Sequence, residues 1–329
     1  MLKPYLLSFF IFLSVVGSIT AADTSFPEGE KPVNVYARVF ILDVDNVDTA
    51  NQTFTVNAFY TFRWQDDRLK HDSKHNKSYT LQEVWHPSIL IINQQRLMKT
   101  FPEVVEVSPD GTVHYRQRVW GALSQSMDLK EFPFDAHKFS MIFASSIYSA
   151  DQVSFVTDPN VLSGIAEDIS LANFMVKEVK PNPVVYEPVP GERAMAAFSM
   201  DITADRASNY YILKVLLPLL LIVMMSWIPF WIDPEQTGVQ IGISTTTMLT
   251  LIAYRFSTGA ELPKIPYLTK MDYFILVATI LVFLTLLEVV ITSHLARHDK
   301  LQLARRVDKF MRVIFPCAFI ILILRSLVF

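Results

Sequence analysis

The feature that most constrains this chain is a set of four long apolar segments confined to residues 210–329. Each holds close to the roughly 20 apolar residues that a helix needs to cross the hydrocarbon core of a bilayer. The sequence therefore predicts an all-α membrane domain of four helices. We expect these helices at 211–232, 237–257, 271–293 and 308–329.

The rest of the chain has a different composition. Charged residues occur throughout residues 23–209, whereas the whole chain is 51% hydrophobic and 19% charged. That is too apolar for a soluble protein of 329 residues and too charged for one that lies entirely in a membrane. The formal net charge of −3 is close to balance, so no nucleic-acid partner is indicated. Residues 23–209 are therefore predicted to form a separate soluble domain.

Residues 1–22 have the pattern of a cleaved signal peptide. Lys3 supplies the positive start, an apolar stretch follows at 6–16, and small residues at 20–22 give a cleavage site. About eleven apolar residues are few for a membrane span, which is the alternative interpretation. The domain at 23–209 is then expected to be exported.

The single cysteine and the charge of one loop predict the location of the protein. Cys317 lies in the last apolar segment, so no intrachain disulfide is possible. An exported animal domain would usually carry disulfides, which favours the inner membrane of a bacterium. The loop at 292–309 carries five Lys or Arg residues against two Asp residues. This bias predicts a cytoplasmic loop and a periplasmic domain at 23–209.

The soluble domain has the pattern of β-structure. Residues 53–64 alternate between apolar and polar side chains, as a half-buried strand does. Phe59 breaks the alternation, so it must be exposed, covered by a loop or buried against a partner. Several short strands without helical segments favour a β-sandwich. Further strands are predicted at 33–43, 113–123, 137–147, 174–180 and 196–204.

The second apolar segment carries a stripe of small, hydroxyl and apolar residues at helical spacing. Intervals of three and four place six residues on one side of a helix. They are Gly242, Thr246, Leu249, Ala253, Phe256 and Ala260. If several copies surround an axis, this side becomes the wall of a channel. If not, it packs inside the four-helix bundle, and periodicity alone leaves both interpretations open.

Four motifs, in order along the chain, resemble those of the pentameric ligand-gated ion channels, the Cys-loop receptor superfamily. They read WQDDRL at 64–69, WHPS at 85–88, FPFD at 132–135 and LPKIPY at 262–267. Gln125 and Phe139 stand where the loop disulfide of this family would be, as expected of prokaryotic members. The resemblance implies an immunoglobulin-like β-sandwich, four membrane helices and a homopentamer whose pore is lined by 237–257.

The resemblance also implies roles within the pore. Leu249 falls at the central hydrophobic gate of the family and Phe256 at a bulky outer ring, where narrow apolar tubes close by dewetting. Asp233 and Glu235 lie at the cytoplasmic mouth, so the permeant ions are expected to be monovalent cations. Gly238 and Val239 stand where cation-selective relatives place an acid. An anion-selective channel, or a Glu235 that only caps the helix, is therefore the alternative.

By the same resemblance, a ligand site is expected between neighbouring sandwiches. Its residues would be Phe59, Arg116, Ser146, Tyr148, Tyr186 and Phe198. Aromatic walls suit an organic cation through cation–π attraction. The agonist is expected to be an amine, a carboxylate or a proton. For Tyr148 and Phe198 the alternative is ordinary packing in the core.

A further set of residues is expected to couple the sandwich to the pore. It comprises Asp48, Asp135, Arg206, Pro263, Lys264, Pro266 and Tyr267. Arg206 is predicted to lie partly buried between the carboxylates of Asp48 and Asp135, with a weak surface ion pair as the alternative. Glu288 in the third helix is a candidate proton sensor. Its alternative position is the cytoplasmic interface, near His294.

Other function classes find less support in the sequence. The chain has no HExxH, GxSxG or glycine-rich phosphate loop, so it is expected not to be an enzyme and to need no cofactor. His71 and His75 have a metal-like spacing, but the stretch between them is polar, which favours a solvated loop and no metal site. A non-conducting membrane sensor is the alternative to a channel.

Overall fold

The computed structural model describes residues 24–27, 32–159, 161–171, 173–259 and 265–328, so the predicted signal peptide lies outside the described residues. Within them, a domain of β-strands precedes a bundle of long helices. The strands are β1 (Val33–Asp48), β2 (Thr53–Gln65), β3 (Lys77–Thr80), β4 (Ile89–Ile91), β5 (Gln94–Lys99), β6 (Val104–Val107), β7 (Thr112–Ser124), β8 (Ala136–Ser149), β9 (Val153–Thr157), β10 (Gly164–Ile165), β11 (Phe174–Tyr186) and β12 (Met195–Arg206).

The strands form two sheets. The larger sheet has the order β10-β1-β2-β7-β6-β3, with β9 also paired to β1 and β5 also paired to β7. The smaller sheet has the order β11-β12-β8-β4. Strands β9 and β10 run parallel to β1, and the other pairs are antiparallel.

Aromatic rings from the two sheets meet in one core. The ring centroid of Phe143 in β8 lies 5.0 Å from that of Tyr60 and 5.3 Å from that of Phe62, both in β2. Phe54 meets Phe139 at 5.3 Å in the same way. Alternate residues of β2 are buried, as its polar–apolar alternation predicts. The predicted β-sandwich is therefore confirmed.

The sequence predicted the long strands and missed the short ones. The six predicted segments correspond to β1, β2, β7, β8, β11 and β12. The six short strands were not predicted, because two to six residues give too little alternation to recognise. Strand β5 is the clearest case, since five of its six residues are exposed and no apolar face marks it.

Four helices follow the sandwich: α1 (Asn209–Trp231), α2 (Thr237–Thr258), α3 (Lys270–Arg297) and α4 (Leu301–Val328). The first is irregular, with a π-helical stretch at Ile212–Leu216 and a final 3₁₀ turn at Ile228–Trp231. Helices α3 and α4 extend into the charged 292–309 segment, leaving a short turn between them. The prediction of a longer loop there was wrong, because the charged residues continue the helices, with Arg297, Arg305, Arg306 and Lys309 exposed and Asp308 buried.

The helical bundle presents an apolar outer surface. Among the described residues, α1 and α3 are long and apolar enough to cross a membrane. Many large apolar side chains on the outer faces of the helices are about half exposed or more, including Leu213, Leu221, Ile280, Phe283, Ile320 and Ile321. Contact with lipid is favourable for such an apolar surface, whereas contact with water is not.

Candidate functional site

The junction between the sandwich and the helices is built around one buried ion pair. Arg206, the last residue of β12, donates from Nε to Oδ1 of Asp135 at 2.7 Å and from Nη2 to Oδ2 at 2.9 Å. Both side chains are almost fully buried. The guanidinium also lies over the rings of Phe132, at 4.9 Å, and Phe174, at 4.5 Å. Fork-shaped pairing and aromatic stacking fix its position more firmly than a point charge would be fixed.

His137 completes the polar contacts of Asp135. Its Nε2 makes a short hydrogen bond with Oδ2 of the carboxylate, and the imidazole is also buried. Burial alone would raise the pKa of Asp135, but hydrogen bonds from His137 and Arg206 outweigh it and lower the pKa to about 2. The carboxyl is therefore ionised at any physiological pH. His137 follows Asp135 by two residues at the start of β8, so strand alternation could have indicated this partner.

Asp48 does not join this centre, which corrects the expectation that Arg206 lies between two carboxylates. Its Oδ1 accepts from the backbone N–H groups of Ala50 and Asn51, at 3.0 and 2.9 Å, and its Oδ2 accepts from Nδ2 of Asn51. These bonds, with that from the Asn51 backbone first, lower the pKa of Asp48. A carboxylate held by its own turn has little capacity left for an arginine.

The segment before Asp135 contacts the beginnings of two helices. The backbone N–H of Met271 in α3 donates to the carbonyl of Phe132, and the ring of Phe132 lies 4.7 Å from that of Tyr211 in α1. The hydroxyl of Tyr267 accepts from the backbone N–H of Leu129 at 3.0 Å. This segment therefore joins the ion pair to both helices.

The remaining coupling candidates contribute less. Pro266 is exposed beside Tyr267, while Pro263 and Lys264 lie outside the described residues. Only two residues, Ala207 and Ser208, separate the end of β12 from α1. The connection between the sandwich and α1 is therefore short.

Helix α2 presents the predicted stripe to the outside of the chain. Gly242, Thr246, Leu249, Ala253 and Phe256 are all exposed, whereas Ala260 lies outside the described residues. Leu249 is 65% and Phe256 82% exposed, far more than core packing would allow. The opposite face, with Gln240, Ser244, Thr247 and Leu251, is buried against the bundle.

Hydroxyl groups along α2 are bonded inside the helix. The hydroxyls of Thr245, Thr246 and Thr250 each donate to the backbone carbonyl four residues earlier, at 2.8 Å. The hydroxyl protons are therefore hydrogen-bonded without any partner from outside α2. The stripe is therefore compatible with contact to water.

The two acids before α2 share one arginine. Nη2 of Arg305, in α4, donates to Oδ2 of Asp233 at 2.8 Å and to Oε1 of Glu235 at 3.3 Å. A hydrogen bond from the backbone of Glu235, followed by Arg305, lowers the pKa of Asp233. Arg305 was missed because nothing in the sequence indicates that α4 passes this loop. The predicted acidic mouth therefore contains a cation as well.

The predicted ligand residues form two groups on different sheets. In the smaller sheet, the hydroxyl of Tyr148 accepts from Nε1 of Trp85 at 3.0 Å, and its ring lies 5.2 Å from Phe26. Tyr186 ends β11, where it is aligned with Met195 of β12, and Met195 is in turn aligned with Ser149, the residue after Tyr148. Ser146 is held by the carbonyl of Ser88, which accepts from its hydroxyl at 3.0 Å.

The second group lies on the outer face of the larger sheet. Phe59 packs edge-on against Phe101 at 6.0 Å, and Arg116 pairs with Glu106. Gln117 is fully buried and holds the Phe101 backbone from both sides, at 2.8 and 2.9 Å. Phe59 is thus partly covered by a loop of its own chain. Within one chain the two groups therefore belong to different sheets.

Phe198 does not belong to either group. Its side chain is fully buried in β12, where no ligand at the surface can reach it. The assignment of Phe198 to the ligand site is therefore replaced by the alternative, ordinary core packing.

Glu288 lies in the interior of the helical bundle. It is 7% exposed on the face of α3 that turns toward α4, whereas His294 is exposed and stacks on His298 at 4.3 Å. Its neighbour is Asp308 of α4, itself 1% exposed. The sequence placed Asp308 in a loop or at a helix end, so this pair was not predicted.

Comparison with known proteins gives two family matches and a relative. The model of the neurotransmitter-gated ion-channel ligand binding domain matches residues 23–185. The model of the neurotransmitter-gated ion-channel transmembrane region matches residues 215–302. A proton-gated ion channel from Gloeobacter violaceus is 25% identical over 303 residues, which are 90% of this chain and 82% of that protein. The matches include both the sandwich and the helices.

Proposed function

Because this chain belongs to the family of neurotransmitter-gated ion channels, we propose that five copies surround an axis and that α2 of each copy lines a pore along it. The family is one of membrane channels and not of enzymes. The observation that carries the proposal is the outward stripe of α2, in which Leu249 and Phe256 are largely exposed. A ring of copies gives these side chains an enclosed tube to line, and the other three helices separate it from lipid.

Cysteine scanning of α2 tests this arrangement. In a background with Cys317→Ser, a water-soluble thiol reagent should label and block the channel at 242, 246, 249, 253 and 256. Positions 240, 244, 247 and 251 are the matched controls, because they face the bundle. Labelling without this periodicity, or labelling without loss of current, would contradict a pore lined by α2.

The outer constriction gives a second measurement. Phe256→Ala should widen the apolar ring at the outer end of α2 and raise the open probability, because a wider tube retains water. Single-channel recording compares this variant with Ser257→Ala, an exposed neighbour that is not in the stripe. Equal open probability in the two variants would show that Phe256 is not part of the gate.

Assembly would also bring the two halves of the ligand site together. Tyr148 and Tyr186 lie on one sheet of a copy, and Phe59 and Arg116 lie on the other sheet. In a ring, one sheet of each copy faces the opposite sheet of its neighbour, so both groups would meet at the same subunit interface. We propose this interface as the site where a small ligand opens the channel.

A pH change is the second kind of stimulus. The relative from Gloeobacter violaceus is proton-gated. His114 lies on the same sheet face as Arg116, and burial together with Arg63 and Arg116 lowers its pKa. An acid step would therefore add charge at the proposed interface. Currents recorded during steps of external pH, with His114→Gln as the variant, separate this stimulus from an amine or a carboxylate.

Cation conduction is the favoured selectivity, and anion conduction is the second candidate. Asp233 and Glu235 outnumber Arg305 at the inner mouth, which gives each subunit an excess of negative charge there. The hydrogen bonds from Arg305 to both acids favour anion conduction, because they reduce the excess of negative charge at the inner mouth. Reversal potentials in asymmetric salt decide between the two, and Arg305→Gln should shift them further toward cations.

The proposed orientation follows from the charge of the helix ends. The sandwich would lie in the periplasm of a bacterium after removal of the signal peptide, and the α3–α4 turn would face the cytoplasm. Four helices would then span the inner membrane. A protease added to intact spheroplasts should cleave the sandwich and leave the α3–α4 turn uncut.

A further inference from the structure

The inner end of the helical bundle contains a buried group of polar side chains with unsatisfied atoms. Gln240 of α2, Glu288 of α3 and Asp308 of α4 are 0%, 7% and 1% exposed. Neither oxygen of Glu288 or Asp308 has a hydrogen-bond partner among the described residues, and Oε1 of Gln240 has none either. Buried polar atoms are almost always paired in folded proteins, so five unpaired acceptors in one place require an explanation.

The two carboxyl groups are close neighbours, because each one acts on the other as a hydrogen-bonding group and Asp308 also acts on Glu288 by its charge. The contact between the acids is one between acceptors, and it becomes a hydrogen bond only if one of them carries a proton. Two ionised carboxylates in contact inside a protein repel each other without screening by water. A single proton shared by the pair removes both problems.

Few charged groups face this pair. Arg312, one turn along α4, acts on Asp308, but its Nε donates to the carbonyl of Phe230 at 2.8 Å and its guanidinium stacks on Trp231. Arg305, one turn before Asp308, bonds to the acids before α2. The charged residue of α2, Arg255, lies in the last turn of that helix, fifteen residues beyond Gln240, and on α3 His294 is exposed. One cation thus faces two acids, which leaves an excess of one negative charge.

We propose that Glu288 and Asp308 form a binding site for one shared proton, and that this proton stabilises the inner mouth of the pore. Release of the proton would leave two carboxylates in contact and push α4 away from α3. Gln240 connects this movement to the mouth, since its Nε2 donates to the carbonyls of Pro229 and Ile232, at 3.1 and 2.9 Å. These carbonyls belong to the turn that precedes Asp233.

The effect on the mouth rests on the proposed channel function, whereas proton binding does not. Infrared difference spectroscopy of the protein in lipid vesicles detects a protonated carboxyl directly. Wild-type protein should show a pH-dependent band of a protonated carboxyl. The band should be absent from the single variant Glu288→Gln and from the double variant, which carries Glu288→Gln and Asp308→Asn. In the single variant, Asp308 ionises beside Arg312. Glu192→Gln, an exposed acid in the β11–β12 hairpin, is the control and should keep the band.

Two outcomes would overturn proton binding: a wild-type protein without this band, or a band that persists in the double variant. Size-exclusion chromatography ensures that each variant compared is an intact assembly, and the isosteric amides keep the shape of the cluster. Currents in inside-out patches test the second half of the proposal. Internal pH steps should change wild-type open probability several-fold and leave the double variant unaffected. Equal responses in both proteins would exclude the link to the pore mouth.

If no variant conducts, the channel proposal fails while the infrared result still decides whether the proton is bound. Conversely, currents without the carboxyl band would retain the channel and remove the proton site. The two proposals are therefore separable by experiment.

Discussion

The molecule buries acidic side chains in two places, and it treats them differently. At the junction of sandwich and helices, Asp135 meets an arginine and a histidine, and both of its oxygens are hydrogen-bonded. At the inner end of the bundle, Glu288 and Asp308 have each other and no bonded partner among the described residues. A satisfied buried charge holds elements together, whereas an unsatisfied one makes the structure depend on a proton. The first arrangement suits a rigid connection and the second a reversible one.

The largest expected effect is at the satisfied pair. Arg206→Ala leaves the Asp135 carboxylate buried without its cation, which should cost about 3–5 kcal/mol of the free energy of unfolding. We expect loss of assembly or of gating, measured by size-exclusion chromatography, thermal unfolding and recorded currents. Arg206→Lys is the matched control, because it keeps the charge and loses the fork-shaped pairing. Normal currents in Arg206→Ala would show that the pair of Arg206 and Asp135 contributes no more than a weak surface ion pair does.

The unsatisfied pair should respond in the opposite direction. Replacing both acids with apolar residues, as in Glu288→Met with Asp308→Leu, removes from the interior two acidic side chains whose oxygens have no hydrogen-bond partner among the described residues. The free energy of unfolding should stay the same or rise by about 1–4 kcal/mol. Thermal unfolding in the same lipid as the wild type gives the comparison. A loss as large as that of Arg206→Ala would show that the two sites are alike after all.

Acid should weaken the junction only at very low pH. The pKa of Asp135 is about 2 in the folded protein against 3.8 in the unfolded chain. Since the folded value is the lower one, the stabilisation is complete above about pH 4 and is lost as the pH falls through 2. At about 1.4 kcal/mol per pH unit, the contribution is about 2 kcal/mol.

Unfolding measured between pH 5 and pH 2 checks this value. Asp135→Asn should lack this part of the acid dependence while showing the acid response of the other carboxyl groups. The assignment of Arg206 and His137 as partners of Asp135 would be contradicted if the free energy of unfolding of the wild type fell near pH 5, and fell by the same amount in Asp135→Asn.

The smallest effect is expected at His137. His137→Phe keeps a ring of similar size and removes one hydrogen bond, while the bonds of Arg206 to Asp135 remain. A loss of about 1.5 kcal/mol is expected for one hydrogen bond to a charged group. Thermal unfolding compares it with Phe174→Leu, which changes packing around Arg206 without removing a hydrogen bond. A loss equal to that of Arg206→Ala would make His137 the principal partner of Asp135.

The same two sites show how far the sequence could be interpreted. The alternation in β2 predicted the sandwich, and the FPFD motif with Arg206 predicted the ion pair at the junction. Strand alternation fixes which residues face inward, so such predictions depend only on local pattern. His137 was within reach of the same reasoning, because it lies at the start of β8, two residues after Asp135.

The contact between Glu288 and Asp308 could not be predicted from the sequence. Asp308 lies in a charged stretch that was predicted as a loop, and its burial depends on how α4 rotates against α3. Arg305 is a similar case, since its partners precede a different helix. Helix rotation and the extension of a helix beyond its apolar part are results of packing between distant segments, which local periodicity does not encode. The pore-lining, ligand and coupling assignments stay predictions until they are tested by experiment.

The threonines of α2 have a consequence for any ion that passes them. Each hydroxyl of Thr245, Thr246 and Thr250 gives its only hydrogen to the helix itself. What it can offer outward is lone-pair density, the counterpart of a carbonyl oxygen. In the proposed tube, a positive ion that sheds some of its water would find replacement ligands along this wall, and a negative ion would find no donor in the same threonines. The preference would then be built into the lining as well as into the charges at its mouth.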